Sequence, residues 1–106
     1  KESYMVHVIA TIEVVEGKRD EFVSIFNDNL SNVLAEDGCL AYGPMVDLDT
    51  GFAVQIPVRE NVVTIVEQWE SLDHLKAHLV ASHMATYREQ VKDLVLGVSL
   101  QVLEPA

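Results

Sequence analysis

The chain has 106 residues, of which 49% are hydrophobic, and its formal net charge is −10. This length suits one domain, so residues 1–106 are treated as a single unit. The apolar share is typical of a packed core and argues against disorder. Because seven Lys and Arg stand against seventeen Asp and Glu, the chain lacks the basic surface that nucleic acid or an anionic membrane requires. We therefore expect neither as a partner, and a phosphorylated substrate is disfavoured for the same reason.

The cysteine content and the lengths of the apolar runs bear on the cellular compartment. Cys39 is the single cysteine, which excludes an internal disulfide and a cysteine-based zinc site. No apolar run reaches the roughly 18 residues that a membrane helix needs. The first residues do not show the pattern of a secretion signal, so we expect none. Together these features predict a cytoplasmic protein.

The first half of the chain predicts a strand, a helix and a second strand. Residues 4–14 alternate apolar and mixed side chains and are rich in β-branched residues, which indicates a strand. Residues 18–35 carry apolar side chains at helical spacing and acidic residues in the first turn, and Gly38 then stops the helix. Residues 39–48 predict a second strand, in which Pro44 implies an edge position or a bulge.

The middle of the chain predicts an insertion and then a regular strand. Residues 52–61 begin with alternating apolar side chains, but Pro57 interrupts them, so we expect a hairpin arm or a long loop. Residues 62–70 form the next full strand. Ser71 is a good N-cap for an amphipathic helix that follows directly.

The last part of the chain predicts a broken helix and a final strand. A break at residues 81–82 separates the first helical segment from a second one that runs from near His83 to about residue 95. Gly97 is expected to stop this segment, and residues 98–103 alternate as a strand.

The order strand, helix, strand, strand, helix, strand predicts a ferredoxin-like α+β fold, βαββαβ, with helices on one face of an antiparallel sheet. The other face of the sheet also carries apolar residues, and no third layer remains within the chain to cover it. A second copy of the sheet is the economical cover, so we expect a homodimer.

Residues 62–95 concentrate the side chains that can carry chemistry. They come from one strand end and the two helical segments after it, and they are Glu67, Trp69, His74, His78, His83 and Tyr87. His74 and His78 are spaced i, i+4, which can chelate a metal ion. No third ligand has a diagnostic spacing, so we expect no metal site.

The same residues resemble the signature of the antibiotic biosynthesis monooxygenase family. The signature is a strand ending in an E-x-W pattern, here Glu67 to Trp69, then a helix with His78, then a small-residue break before His83. The earlier turn at residues 36–39 agrees. The resemblance implies a dimeric α/β barrel with a pocket lined by Trp69 and the histidine-bearing helix. Members include cofactor-independent oxygenases of quinols and anthrones, haem-degrading enzymes and an isomerase of a phosphorylated signalling sugar.

Four positions depart from particular branches of that family. Haem-degrading members have an Asn where this chain has Ala10 and an axial His near the place of Arg88, so haem degradation is disfavoured. Anthrone oxygenases have an Asn and a Tyr where this chain has Ile65 and Leu75. The resemblance is therefore more specific for the family than for a substrate.

Oxygenation without a cofactor places defined demands on a protein. Triplet dioxygen reacts slowly with closed-shell molecules, but an electron-rich anion can pass it one electron. The protein must supply a base, a dry cavity and stabilisation of charge. His78 or His83 can be the base, and Trp69 can stack on a flat substrate and donate its indole N–H. Glu67 can orient a histidine or act as the base if burial raises its pKa.

Each of these residues also has a purely structural interpretation. Trp69 can be a core or dimer anchor, His78 a satisfied core histidine, His83 a helix cap and Glu67 an ion-pair partner. We predict His78, Trp69, Glu67 and His83 as catalytic residues. His7, Phe26 and Tyr87 are predicted to bind the substrate.

The function that follows is a cofactor-independent monooxygenase that uses dioxygen on a small quinol-like or anthrone-like aromatic. One alternative is an isomerase or proton-transfer enzyme that uses the same residues without oxygen. Another is a non-catalytic, dimeric ligand-binding or stress-response module. A dry pocket around Trp69 with a histidine at hydrogen-bond reach favours catalysis, whereas a pocket filled by the chain's own side chains favours the module.

Overall fold

The protein forms a four-stranded antiparallel sheet with helices packed on one face. The computed structural model describes residues 4–106. Its elements are β1 (Val6–Val14), α1 (Arg19–Asp28), α2 (Leu30–Leu34), β2 (Cys39–Met45), β3 (Val62–Trp69), α3 (Leu72–Leu79), α4 (Ser82–Val91) and β4 (Val95–Leu103). The strand order is β2-β3-β1-β4, and every neighbouring pair is antiparallel. The predicted ferredoxin-like fold is confirmed.

Strand alternation decides which side chains enter the core. Every second residue of β1, from Val6 to Val14, is buried against the helices, and so is every second residue of β3 from Val63 to Trp69. Helix α1 covers these strands with Phe22, which is 0% exposed, and with Phe26. A strand's side-chain period of two therefore places position 67 among core residues, although it is a glutamate.

The helix predicted over residues 18–35 is broken at Asn29. This residue caps the end of α1 and the start of α2, and its side-chain oxygen accepts a hydrogen bond from Asn32 Nδ2 at 2.9 Å. Asparagine favours such breaks because its side chain competes with the backbone for hydrogen bonds. The break directs the Asn29 amide toward α4, where it meets His83. No helix between residues 4 and 106 is long and apolar enough to cross a membrane.

Strand β2 lies at the edge of the sheet, as Pro44 predicted. The next segment, residues 46–61, is a long loop without strand pairing. Arg59 holds its two ends together because Nε and Nη2 donate to the Asp47 carboxylate at 2.8 and 2.9 Å. The loop nevertheless exposes apolar side chains, with Phe52 at 70% and Val54 at 95%.

The predicted end of the second helical segment is wrong. Helix α4 stops at Val91, a tight turn follows, and β4 already begins at Val95. Gly97, which was expected to stop a helix, lies inside β4 near the point where the register of β1 and β4 shifts. The apolar residues before Gly97 have helical spacing, but pairing with β1 from Val95 onward makes this part of the chain a strand.

The helices leave β4 uncovered. On the helix side of the sheet, Val98, Leu100 and Val102 are 60%, 48% and 48% exposed. Their partners on β1, such as Ala10 opposite Leu100, are buried. Val98 and Leu100 of this row form one rim of the cavity described next.

Candidate active site

A cavity of about 360 Å³ lies between the helix-facing side of the sheet and helices α1, α3 and α4. Its sheet side is apolar, with Ala10, Ile12 and Ile65. Its titratable groups include a carboxyl, Glu67 from β3, and an imidazole, His78 from α3. The protein's own side chains do not fill this space, and Leu100 of β4 stands at its rim. An apolar cavity with a few polar groups is the usual form of a small-molecule site.

Glu67 is a buried carboxyl group whose acidity is strongly altered. Its side chain is on the helix face of β3, and the residue is only 6% exposed. Burial raises the pKa of Glu67 to about 7, and the nearby Glu36 charge acts in the same direction. The indole of Trp69 opposes this shift because Nε1 donates to Glu67 Oε1 at 3.0 Å. Glu67 can therefore exchange a proton near neutral pH.

The raised pKa of Glu67 predicts a pH-dependent stability difference between the wild type and Glu67→Gln. The folded state binds the Glu67 proton more tightly than the unfolded state, so the contribution of this proton to the free energy of unfolding is complete at low pH. It is lost as pH rises from the ordinary glutamate value through about 7. Between about pH 5 and about pH 8, wild type should lose about 2–3 kcal/mol of unfolding free energy relative to the variant.

Urea denaturation at the two pH values measures this difference. Glu70→Gln is the matched control, because Glu70 follows the same strand and its side chain is 57% exposed. This control should show the pH dependence of the wild type. An equal pH dependence in Glu67→Gln and wild type would mean that Glu67 titrates at its ordinary value.

His78 supplies the imidazole of the cavity. Helix α3, on which it lies, is capped at its N-terminus by Ser71, whose hydroxyl accepts from the His74 backbone N–H at 3.3 Å. The His78 residue is 1% exposed, and its ring packs 4.7 Å from Trp69 and 5.2 Å from Tyr42, centroid to centroid. Burial lowers the pKa of His78, although contact with Glu36 acts against this. The imidazole is thus favoured in its neutral form, which can accept a proton.

A tight turn brings Glu36 to this histidine. Glu36 Oε2 lies 2.8 Å from His78 Nδ1, although 42 residues separate them in the chain. The turn requires Gly38, which adopts a left-handed φ of +77°, and a Cβ there would lie 2.3 Å from the His74 ring. Only glycine fits that approach, so the glycine that ends the helical region also positions Glu36.

His83 lies behind this contact and does not line the cavity. Its Nε2 is 3.1 Å from the same Glu36 Oε2 but is buried and makes no hydrogen bond. Its Nδ1 lies 3.2 Å from Asn29 Nδ2. The ring borders a separate surface cleft of about 230 Å³ between α1 and α4. The two histidines thus share one carboxylate and open toward different spaces.

The structure brings four of the seven predicted site residues to the cavity: Glu67, His78, Phe26 and Tyr87. Trp69 is fully buried behind them and does not line the cavity, but it contacts the lining residues Glu67, His78 and Tyr42. His7 is on the alternate face of β1, opposite Gln68 and Leu103, and points away from the helices. Its role in substrate binding stays a prediction that this cavity does not support.

Two further residues of the site escaped the sequence reasoning. Glu36 was visible only as part of a turn, and nothing in its spacing indicates a contact with a distant histidine. Arg88 lines the cavity, where its Nη2 donates to the Leu79 carbonyl at 2.6 Å. Its one possible signal was its position one residue after Tyr87 on the same helix.

His74 and His78 do not form a metal-binding pair. His74 turns to Ser71 and to Asp37, whose carboxylate is 3.4 Å from Nε2, whereas His78 turns to Glu36. Within residues 4–106, no group of three or more His, Cys, Asp and Glu side chains has the geometry to hold a metal ion.

The cavity, with its Glu67–Trp69 pair and its histidine, can be compared with known proteins. The family model described as antibiotic biosynthesis monooxygenase matches residues 5–90. The chain belongs to the antibiotic biosynthesis monooxygenase family. A family member from Escherichia coli K12, named "Probable quinol monooxygenase YgiN", is 40% identical over 103 residues, which span 95% of this chain and 98% of that protein.

Solved structures agree with this family fold. A candidate antibiotic biosynthesis monooxygenase from Caulobacter crescentus superposes with a TM-score of 0.81 at 25% identity, over 98% of this chain and 92% of that chain. Another from Nitrosomonas europaea has a TM-score of 0.82 at 16% identity, over 99% and 93% of the two chains. Because the Nitrosomonas protein is only 16% identical, its likeness to this chain concerns the fold alone. The family and the E. coli relative support monooxygenase activity for this chain.

Proposed function

We propose that the protein is a cofactor-independent monooxygenase that oxidises a small quinol-like aromatic with dioxygen. The observation that carries the proposal is one apolar cavity with two proton-exchanging groups, Glu67 and His78, on its wall. The E. coli relative's name, a probable quinol monooxygenase, supports the substrate class.

The reaction balances without any other reductant. A quinol loses a hydroxyl proton to a base, and the quinolate passes one electron to dioxygen. The two radicals join at a ring carbon, and the resulting peroxide loses water when its O–O bond breaks. One oxygen atom stays on the ring as a hydroxyquinone, and the other leaves in water. The quinol supplies the electrons and both hydrogens of that water.

The cavity suits each step of this reaction. His78, neutral because burial lowers its pKa, accepts the hydroxyl proton. Glu67, with a pKa of about 7, can return a proton to the peroxide. The apolar sheet side excludes water and strengthens the electrostatic effect of Arg88 on the anion. Trp69 holds Glu67 in place through its indole N–H.

The test is oxygen uptake with a panel of hydroquinones and anthrones, in the presence of a chelator and superoxide dismutase to suppress background oxidation. With isotopically labelled dioxygen, the product should carry one labelled oxygen atom. Leu100→Trp should fill the cavity and abolish uptake. Val102→Trp is the matched control, because Val102 is also 48% exposed on the same face of β4 but does not line the cavity.

Equal oxygen uptake in wild type and Leu100→Trp would show that the reaction does not take place in this cavity. Absence of uptake with every substrate, from folded protein, would contradict the oxygenase. The proton-transfer alternative would then gain support, because a carboxyl with a pKa of about 7 beside a neutral histidine also suits isomerisation without oxygen.

We also propose that the protein works as a homodimer. Strand β4 exposes apolar side chains on the helix side of the sheet, and the loop at residues 46–61 exposes more. A second copy that covers this surface would also close the open rim of the cavity at Leu100. Light scattering during size-exclusion chromatography measures the mass, and a monomer at all concentrations would contradict the dimer. A cytoplasmic location stays a prediction.

A further inference from the structure

A series of polar side chains leads from the surface cleft to the cavity, and all of its contacts except the one between His83 and Glu36 are hydrogen bonds. It starts at Asn29, whose Oδ1 accepts from Asn32 Nδ2 at 2.9 Å. The Asn29 Nδ2 group must therefore be the atom that faces His83 Nδ1 at 3.2 Å and the Met84 sulfur at 3.6 Å. An amide nitrogen is only a donor, so His83 Nδ1 is the acceptor. The neutral ring of His83 then carries its proton on Nε2.

The next link is Glu36, which lies between the two histidines. The buried Nε2 of His83 lies 3.1 Å from Glu36 Oε2 but does not form a hydrogen bond with it. The same oxygen lies 2.8 Å from His78 Nδ1. An ionised carboxylate only accepts hydrogen bonds, so His78 Nδ1 must carry a proton. Glu36 is 15% exposed on its side chain, so this contact is largely shielded from water.

These contacts decide which nitrogen of His78 is available for chemistry. With the proton on Nδ1, a neutral ring has its lone pair on Nε2. Within residues 4–106, no hydrogen bond engages that Nε2, and His78 lines the cavity. The ring itself is held between Trp69 and Tyr42, so it cannot turn freely.

We propose that Glu36 is the positioning residue of this site, which keeps the His78 proton on Nδ1 and the Nε2 lone pair toward the cavity. The inference rests on the proposed function for its consequence in catalysis, but the tautomer itself does not depend on any substrate. His83 does not line the cavity and is accordingly not itself a base there.

The proton transfer that this arrangement allows is balanced. The O–H bond of the quinol breaks, its electron pair stays on oxygen, and a new N–H bond forms at His78 Nε2. The Nδ1 proton stays in place, so the imidazolium faces the Glu36 carboxylate. The other charged or titratable groups near His78 are His83 and Arg88 of α4, Glu67 of β3 and Tyr42 of β2. Among these, Arg88 and His83 disfavour the imidazolium, which makes the Glu36 charge the main local support for it.

Nitrogen NMR of the histidine rings tests the proposal without a substrate. The His78 signals can be assigned by their loss in His78→Gln. Wild type should show His78 protonated on Nδ1 and unprotonated on Nε2 over the neutral pH range. In Glu36→Gln the preference for Nδ1–H should weaken, and the pKa of His78 should fall because the opposite charge is gone. Asp37→Asn is the matched control, since Asp37 neighbours Glu36 but pairs with His74, and it should leave His78 unchanged.

The kinetic readout separates positioning from packing. Glu36→Gln should lower kcat by about 10²-fold or more, with little change in KM, because the base loses its orientation and its counter-charge. The pKa that controls the acidic limb of the pH–rate profile should shift in the same direction as the His78 pKa measured by NMR.

Two outcomes distinguish this inference from the proposed function. Wild type with His78 protonated on Nε2 would overturn the inference even if the protein consumes oxygen, because the tautomer is measured on the wild type without any substrate. Wild type with the expected tautomer, lost in Glu36→Gln, would support the inference even if no quinol is oxidised. In that case the oxygenase proposal fails and the positioned base remains.

Discussion

His78→Gln should lower kcat for quinol oxidation by about 10²–10⁴-fold, the usual contribution of a positioned general base. Glutamine is close to histidine in size and can still donate a hydrogen bond to Glu36, but it cannot accept a proton near neutral pH. The cavity should therefore keep its shape, and KM should change much less than kcat. The measurement is steady-state oxygen uptake at saturating quinol, with chelator present.

His74→Gln is the control for this experiment. His74 is on the same helix, one turn earlier, but its ring turns to Ser71 and Asp37 outside the cavity. Its kcat should match that of the wild type. Full activity in folded His78→Gln would show that His78 is a core histidine and would leave Glu67 as the base of the cavity.

Phe22→Ala should destabilise the protein by about 3–5 kcal/mol, the usual cost of removing a buried aromatic ring. Phe22 is 0% exposed, and its ring packs 6.2 Å from Phe26 and 6.3 Å from Tyr87, centroid to centroid. Since domains of this size are stable by only about 5–15 kcal/mol, this is a large fraction of the total. The melting temperature should fall by about 15–30 °C.

Urea denaturation and thermal melting at one protein concentration measure this loss. Phe22→Leu retains most of the apolar volume, so it should cost only about 1 kcal/mol. The activity of both variants below their melting temperature should stay near wild type, because Phe22 does not line the cavity. Equal stability of Phe22→Ala and wild type would mean that the core closes over the missing ring.

Local periodicity accounts for how much of the fold could be predicted. The alternation of residues 4–14 and 62–70 predicted two strands, which are the central ones of the sheet. Pro44 implied an edge position or a bulge for β2, and the strand lies at the edge. These signals are local: a strand buries every second side chain whatever it packs against. The predictions failed where local signals compete, as at Asn29 and at Gly97, where a capping side chain and a strand pairing prevail over helical spacing.

The candidate site was predictable in part for the same reason. Glu67 and Trp69 are two residues apart on a strand, so the sequence alone puts them on one face, and the helical position of His78 beside Leu75 places it toward the core. The family pattern added weight to these residues. Their burial, and so the direction of each pKa shift, follows from that placement.

The sequence by itself thus determined the order of the elements, the family and the residues that face the core. Only the tertiary structure decided that Glu36, 42 residues before His78, reaches its Nδ1 and that His83 approaches the same carboxylate from behind. The physical reason is that side-chain periods of 2 and 3.6 residues are properties of each element alone. Contacts between a turn and a distant helix depend instead on how the elements pack, and no local spacing encodes that.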